Sequence, residues 1–233
     1  MQTETNHKYG TNPPIENLYL KFYNHEQGKW VVPIEFVIKV HELIKEYKPT
    51  QILELGTGIG ALTATMSASL ENGMITSVEQ NEKILNLAKE LIPFSLQDKI
   101  TFHRVSSAVM RFKEVDPYRY WSGFMPFPWI KWDLVVIDGP GPFLVGDNLV
   151  DLPNGDLINL LPKLAPKTKI IVERRNEARK LYKRFLGWYL DILEENSTYT
   201  LYERTNEVLN EDFSNFTNSD RVRGRLEELG YFK

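Results

Sequence analysis

Between Pro33 and Tyr47 the apolar residues Phe36, Val37, Val40, Leu43, Ile44 and Tyr47 recur at helical spacing, which predicts an amphipathic helix. Beyond it the pattern changes to short, mostly continuous apolar runs at Ile52 to Leu55, Met74 to Val78, Ile100 to Val105, Leu134 to Ile137 and Ile170 to Val172. Continuous rather than alternating runs are what strands covered on both faces require, so these read as parallel strands. Between them, Leu62/Met66/Leu70, Ile84/Leu87/Ala88/Leu91, Leu157/Leu160/Leu161/Leu164 and Ala178/Leu181/Tyr182/Phe185/Trp188 each draw an apolar helix stripe. Strands alternating with helices predict a doubly wound, Rossmann-like α/β sheet. Two further runs, Leu190 to Leu193 and Tyr199 to Tyr202, lie too close together for a crossover helix and predict an antiparallel terminal hairpin. Residues 1 to about 14 are polar and end in Pro-Pro, as a loose arm would. The expected organisation is an N-terminal arm and lead-in over 1–32, one domain over 33–204, and a polar tail over 205–233 with a short helix near Val222 to Leu229.

Composition narrows the setting. A chain of 233 residues, 42% hydrophobic, can bury a sizeable core and fits one domain. No run approaches the roughly 18 apolar residues of a membrane span. The N-terminus lacks the apolar stretch of a signal peptide, so a cytoplasmic location is expected. With no cysteine there are no disulfides, thiolate metal sites or cysteine nucleophile, and any chemistry falls to oxygen, nitrogen or a bound cofactor. A net charge of -3 argues against a general nucleic-acid binder. The expected partner is a small molecule, with no nucleic acid and no membrane.

In a sheet of this kind ligands sit at the carboxyl ends of the strands, so the residues closing each strand carry the chemistry. The first strand runs into Glu54-Leu55-Gly56-Thr57-Gly58-Ile59-Gly60, three glycines at alternate positions before a helix. Such a turn lets backbone N–H groups approach a ligand closely, and dinucleotides, nucleoside phosphates and S-adenosylmethionine all use variants of it. A Walker-type phosphate loop is excluded, because no Gly-Lys-Ser/Thr closes the turn. The second strand ends in Glu79-Gln80, 19 residues after Gly60, where a carboxylate can accept hydrogen bonds from both hydroxyls of a ribose. The fourth ends in Asp138-Gly139-Pro140, a sharp turn that holds a carboxylate beside the glycine turn if strands one and four are neighbours.

These residues together resemble the class I S-adenosylmethionine-dependent methyltransferases, over about Trp30 to Arg204. "LELGTGIG" is similar to their acidic-x-Gly-x-Gly-x-Gly motif, and "SVEQN" to the acidic end of their second strand. "WDLVVIDGP" resembles strand four of the small-molecule O-methyltransferases, and "LLPKLAPKTKIIVE" the helix and strand that follow. The resemblance implies a seven-stranded sheet whose last strand runs against the others, with S-adenosylmethionine as cofactor. It also implies methyl transfer to a hydroxyl of a small molecule; the Gly-Pro after the strand-four acid is similar to a branch that includes sugar-hydroxyl methyltransferases. Gly56, Thr57, Gly58 and Gly60 then serve the cofactor, Glu54 orders their loop, Glu79 with Gln80 takes the ribose, and Ser106 and Ser107 stand where many relatives carry a Gly-Asp that meets the adenine. A dinucleotide-binding reading of "GTGIGA" predicts neither "IDGP" nor the terminal hairpin. A non-catalytic cofactor-binding or scaffolding module of the same fold is the alternative of a different class.

The acceptor side is less legible. Asp138 is the expected catalytic residue, as general base or cofactor-orienting acid; in metal-using catechol-type relatives the same acid is a magnesium ligand. Those relatives complete the ion's site with an acid and an amide after strand five, whereas Glu173 and Arg174 stand here. A guanidinium offers a cation no lone pair, so no metal is expected. Arg174 and Arg175, directly after strand five, are expected to favour an anionic acceptor. Trp121 lies in "YRYWSGFMPFPWIKW", seven aromatics in fifteen positions, suited to stacking on an acceptor ring or to covering the sheet edge. Arg179, Lys180, Lys183 and Arg184 fall opposite an apolar stripe and read as a solvated helix face. The four histidines show no paired metal spacing.

Overall fold

The computed structural model describes residues 13–111, 120–125, 130–141, 143–145, 148–150, 153–207 and 217–218. Its elements follow the chain as α1 (Pro13–Tyr23), α2 (Ile34–Tyr47), β1 (Gln51–Leu55), α3 (Ala61–Ser69), β2 (Met74–Glu79), α4 (Glu82–Leu91), α5 (Phe94–Gln97) and β3 (Ile100–Arg104). A second series gives β4 (Ser106–Arg111), β5 (Tyr120–Met125), β6 (Leu134–Ile137), β7 (Phe143–Val145), β8 (Asn148–Val150) and α6 (Asp156–Leu160). The chain then forms β9 (Lys169–Glu173), α7 (Asn176–Leu186), β10 (Leu190–Glu195), β11 (Tyr199–Arg204) and β12 (Thr217–Asn218).

Seven strands form one sheet in the order β10-β11-β9-β6-β1-β2-β3. β1 pairs in parallel with both β2 and β6, while β11 runs antiparallel to both β9 and β10. The expected doubly wound sheet and terminal hairpin are therefore present, with β11 inserted between β9 and β10. The continuous apolar runs have the predicted cause. In β6, Val135 and Ile137 face one buried cluster with Leu157, Leu161 and Tyr182, whereas Leu134 and Val136 face the other with Phe36, Val40 and Met66.

Three features depart from the sequence pattern. The chain is helical from Pro13, and Ile15, Tyr19 and Phe22 of α1 are buried against the α2/α3 side of the sheet. Trp188, expected to end the α7 stripe, lies past the end of the helix and is 83% exposed. Ser106 and Ser107 begin a strand that the apolar pattern does not predict: β4 pairs antiparallel with β5 and with β12, a small second sheet that brings back a piece of the C-terminal tail. The other tail residues beyond 207, the arm over 1–12, and the side chains of Ser106, Ser107 and Trp121 lie outside the described part of the structure.

Candidate active site

Each parallel strand delivers its last residue to one edge of the sheet, so Leu55, Glu79, Ile137 and Glu173 mark a common rim. The glycine turn leaves β1 there, and the N–H groups of Gly56 and Thr57 donate to the Val78 carbonyl of β2 at 3.0 and 3.1 Å. Gly56 has φ 105°, and a Cβ on it would lie 2.7 Å from the Gly139 nitrogen. The β1 and β6 turns thus touch through two glycine backbones, which seats Asp138 beside the cofactor-type turn. Gly58 also takes a left-handed φ, 53°, but a Cβ there would meet nothing within 4 Å. Its glycine serves backbone conformation and an open approach rather than packing.

Beneath the turn, the buried acid Glu54 is held by hydroxyls from two other elements: Thr63 of α3 and Ser77 of β2 donate to its Oε2 at 2.6 and 2.5 Å. Thr57 Oγ1 lies 2.6 Å from Ser77 Oγ, so the turn, the helix and the neighbouring strand share one polar chain. Burial pushes the Glu54 carboxyl up to about 8 despite these donors, and its Oε1 is buried with no partner among the described residues. Glu79 closes β2. Its Oε2 accepts from the Gly58 N–H at 3.0 Å and its Oε1 from the N–H groups of Gln80 and Asn81, both at 2.9 Å. Burial still raises its pKa against these amides. Asn81 rather than Glu79 caps α4, its side chain accepting from Lys83 N and Ile84 N. Glu79 is thus fixed against the glycine turn and takes no part in capping α4.

The other half of the rim is built differently. The Gly139-Pro140 peptide is cis. Arg175 reaches back from the start of α7 to clamp this turn, donating Nη1 to the Pro140 carbonyl at 2.8 Å and Nη2 to the Asp138 carbonyl, with the same Nη2 3.7 Å from Asp138 Oδ1. Asn154 donates to the Gly139 carbonyl, and its Oδ1 accepts from the Asp156 N–H at 2.9 Å and from the Tyr182 hydroxyl at 2.6 Å. Asp156 in turn accepts from the Phe124 N–H at 2.8 Å. Burial pushes Asp156 up to about 8 and the Tyr182 phenol well above its usual range. At Asp138, burial raises the carboxyl well above the ordinary carboxylate range; Arg175 opposes this, while Glu173, Glu54 and Glu79 add to it. Glu173 is also raised by burial against the pull of Arg175 and Arg174.

A cavity of about 650 Å³ opens at this half, lined by Asp138, Asn154, Glu173, Arg174 and Arg175 and by residues 29–33. Of the predicted acceptor residues, Arg174 is two-thirds exposed there, its Nε 3.3 Å from Glu173, whereas the guanidinium of Arg175 is engaged by the Asp138–Pro140 turn. Sequence reasoning misses Lys29, Trp30 and Val32, although a helix that runs antiparallel to β1 must begin at the strand-tip rim, and these residues immediately precede α2. It misses Asn154 and Asp156 because they make no local motif. Among the described residues no group of three His, Asp or Glu side chains is placed to hold a metal ion, and no helix is long and apolar enough to cross a membrane.

A model of the family described as protein-L-isoaspartate(D-aspartate) O-methyltransferase matches residues 23–128, from the end of α1 past β5 and short of Asp138. No curated protein sequence matches the chain. Among solved structures it is similar to the O-methyltransferase TomG from Streptomyces achromogenes, involved in tomaymycin synthesis and in complex with S-adenosylmethionine, at 12% identity and a TM-score of 0.55, covering 82% of this chain and 89% of that one. An O-methyltransferase from Bacillus cereus in complex with S-adenosylhomocysteine aligns at 13% identity and a TM-score of 0.53, covering 84% of this chain and 92% of that one. The S-adenosylhomocysteine-bound methyltransferase PaMTH1 of Podospora anserina aligns at 11% identity and a TM-score of 0.56, covering 85% and 90%. The likeness to these structures is a likeness of fold. Taken with the glycine turn and the family match, it defines the class: a class I S-adenosylmethionine-dependent methyltransferase.

Proposed function

We propose that this protein transfers the methyl group of S-adenosylmethionine to a hydroxyl oxygen of a small acceptor, without a divalent metal, and that the acceptor carries an anionic group or a sugar. The observation that carries the reading is the contact of the Gly56 and Gly139 turns, which sets Asp138 between the cofactor half of the rim and the open cavity. The residues present suit the cofactor. Gly58 leaves its approach clear, Glu79 is pinned with one acceptor position of Oε2 left for a ribose hydroxyl, and the rim carries four acids, Glu54, Glu79, Asp138 and Glu173, with raised pKa values.

When bound, S-adenosylmethionine supplies an electrophilic sulfonium methyl. What remains for the protein is to hold an acceptor oxygen in line, exclude water and take the departing proton. Asp138 takes that proton. A positive ligand among the four acids lowers their pKa values, so occupation of the site favours the ionised Asp138 that can act as a base. Arg174, with Lys29 in the lining of the same cavity, pairs with the acceptor's negative group. Ser106, Ser107 and Trp121 keep the roles expected of them, adenine contact for the serines and acceptor stacking for the tryptophan. Metal independence is supported by the guanidinium beside each acid: Arg175 faces Asp138 and Arg174 faces Glu173. A dication would have to displace or repel both.

The family match reaches the cofactor half and stops before Asp138, so it supports the cofactor and leaves the acceptor open to experiment. The experiment is methyl transfer from labelled S-adenosylmethionine to matched neutral and anionic hydroxy acceptors, before and after exhaustive EDTA treatment. The reading expects turnover that prefers the anionic member, survives chelation and weakens in Arg174→Ala. Equal turnover of both acceptors contradicts the anionic assignment. Activity lost with EDTA and restored by magnesium recasts Asp138 as a metal ligand, and cofactor binding with no turnover on any acceptor favours a binding module instead.

A further inference from the structure

The lining of the cavity at Asp138 is of two kinds. Glu173, Arg174 and Glu177 come from the β9–α7 junction and are charged, whereas Trp30, Val31 and Pro33 come from the segment entering α2 and are apolar. The acids already have cations: Arg175 lies by Asp138, Arg174 by Glu173, and Lys180 donates to Glu177 at 2.7 Å. Lys29 is exposed and makes no ion pair among the described residues; its ammonium lies 5.2 Å from the centroid of the Trp30 ring. Trp30 itself is 70% exposed, so an ammonium over one face leaves most of the indole uncovered.

The backbone beneath this indole is held on both sides. Gly28–Trp30 forms one turn of 3-10 helix, in which the Gly28 N–H donates to the His25 carbonyl at 2.7 Å and the Gly28 carbonyl accepts from the Val31 N–H at 3.0 Å. Just beyond, the Val32 carbonyl accepts from the Tyr19 hydroxyl at 2.9 Å. Tyr19 is buried in α1, whose Ile15 and Phe22 share one apolar cluster with Phe36 and Val40 of α2. Helix α1 therefore braces the segment that presents Trp30. A large ring kept in water on a braced backbone, next to a cation with no acid partner and at an open cavity, suits a ligand that brings both a ring and a negative charge.

We propose that Trp30 and Lys29 form a ring subsite for the acceptor: a hydroxylated ring compound with an anionic group stacks its ring on Trp30, meets Lys29 and Arg174 with its anion and presents its hydroxyl at Asp138. Tyr19 is a positioning residue that acts through residues 30–32. The proposal rests on the methyl-transfer reading for the place of Asp138 and narrows the acceptor of that reading to one that carries a ring. An aryl ring and the apolar face of a pyranose share this chemistry, and the test separates them.

The test is calorimetric titration of the full chain, saturated with S-adenosylhomocysteine, with 4-hydroxybenzoate, with glucuronate and with gluconate, the open-chain counterpart of glucuronate. At least one ring-bearing probe is expected to bind about tenfold or more tighter than gluconate, and Trp30→Ala to bring it within about twofold of gluconate. A preference for 4-hydroxybenzoate identifies an aryl acceptor and a preference for glucuronate a sugar acid; either supports the subsite. Tyr19→Phe is expected to lower the ring preference by about threefold with the affinity for S-adenosylhomocysteine unchanged. A Tyr19 that only packs α1 would leave that ratio unmoved, which would overturn its positioning role. Ring-bearing probes that bind no tighter than gluconate, or not at all up to about 10 mM, or a ring preference that survives Trp30→Ala, overturn the proposal. With S-adenosylhomocysteine bound, these outcomes overturn the subsite alone; a wild-type chain that does not bind S-adenosylhomocysteine overturns the methyl-transfer reading and the subsite with it.

Discussion

The two halves of the strand-tip rim hold their acids by different means. On the β1–β2 side, Glu54 and Glu79 are fixed by groups close in the fold and close to a recurring pattern: hydroxyls of Thr63 and Ser77 for one, three backbone N–H groups for the other. On the β6–β9 side, the Asp138–Pro140 turn is fixed through its carbonyls by side chains outside any recurring motif, Arg175 from the start of α7 and Asn154 from the approach to α6, the latter tied to Tyr182 and, through Asp156, to Phe124. The first half joins two short motifs, residues 54–63 and 77–81, each of which carries its chemistry with it. The second is a tertiary network, where each member matters only because others are in place. A cofactor shared by a whole class needs the first kind of construction, whereas an acceptor particular to one protein is served by the second.

If that division is right, the halves separate under mutation. The largest effect is expected from Asp138→Asn, which should lower the single-turnover methyl-transfer rate by roughly 10²-fold or more while leaving cofactor affinity within about threefold. A rate loss matched by an equal loss of cofactor affinity would merge the halves. Next, Arg175→Met removes the clamp on the Asp138–Pro140 turn and should lower stability to urea by about 2 kcal/mol, since charge-assisted hydrogen bonds to two carbonyls are lost from a partly buried site. Loss of turnover should accompany it. An unchanged urea midpoint would show that the turn holds itself.

A smaller effect distinguishes substrate from product. S-adenosylmethionine bears one more positive charge than S-adenosylhomocysteine, and burial raises the acids it approaches, Glu54 to about 8. Its affinity relative to the demethylated product should therefore rise by about tenfold between pH 6 and pH 8, as those acids ionise. A ratio independent of pH would place the charge elsewhere. A further effect falls on folding. Glu54 has an ordinary value of 4.5 and is pushed up to about 8 in the fold, so between those values the folded chain keeps a proton that the unfolded chain has released. Its contribution is fully present below about 4.5 and declines as pH rises toward 8, and Asp156 acts with the same sign. Glu54→Gln should flatten the fall of the urea midpoint between pH 5 and pH 8; an unaltered slope would mean that Glu54 is ionised in the folded chain.

The same contrast separates what is legible in the amino-acid sequence from what is not. Glycine spacing, an acid at the end of a strand and continuous apolar runs are local, and they reveal the sheet, the hairpin, the glycine turn, Glu79 and the turn at Asp138. Arg175 stands out by its place after β9, but its engagement with the carbonyls of residues 138 and 140 depends on a β6–β9 pairing that no local pattern states. Asn154 sits in a stretch with no periodicity, as does its partner Asp156, while its other partner Tyr182 reads as one member of an apolar stripe. Arg179 misleads for a related reason. Its position opposite the stripe predicts solvent, but the β10–β11 hairpin covers it. Helix α1 is hidden by its Pro-Pro start, which marks a chain break as readily as a first helical turn.

The central claim is that the β1–β2 half of the rim is a cofactor site built around an open glycine and a pinned acid. Calorimetric titration of S-adenosylmethionine and S-adenosylhomocysteine into the wild-type chain, Gly58→Val and Glu79→Ala tests it most directly. The account predicts that both ligands bind the wild type and that each substitution weakens both by about tenfold or more, one by filling the approach at a left-handed position and the other by removing the ribose acceptor. Wild-type affinity for both ligands in both folded variants would contradict it and move the cofactor away from this turn.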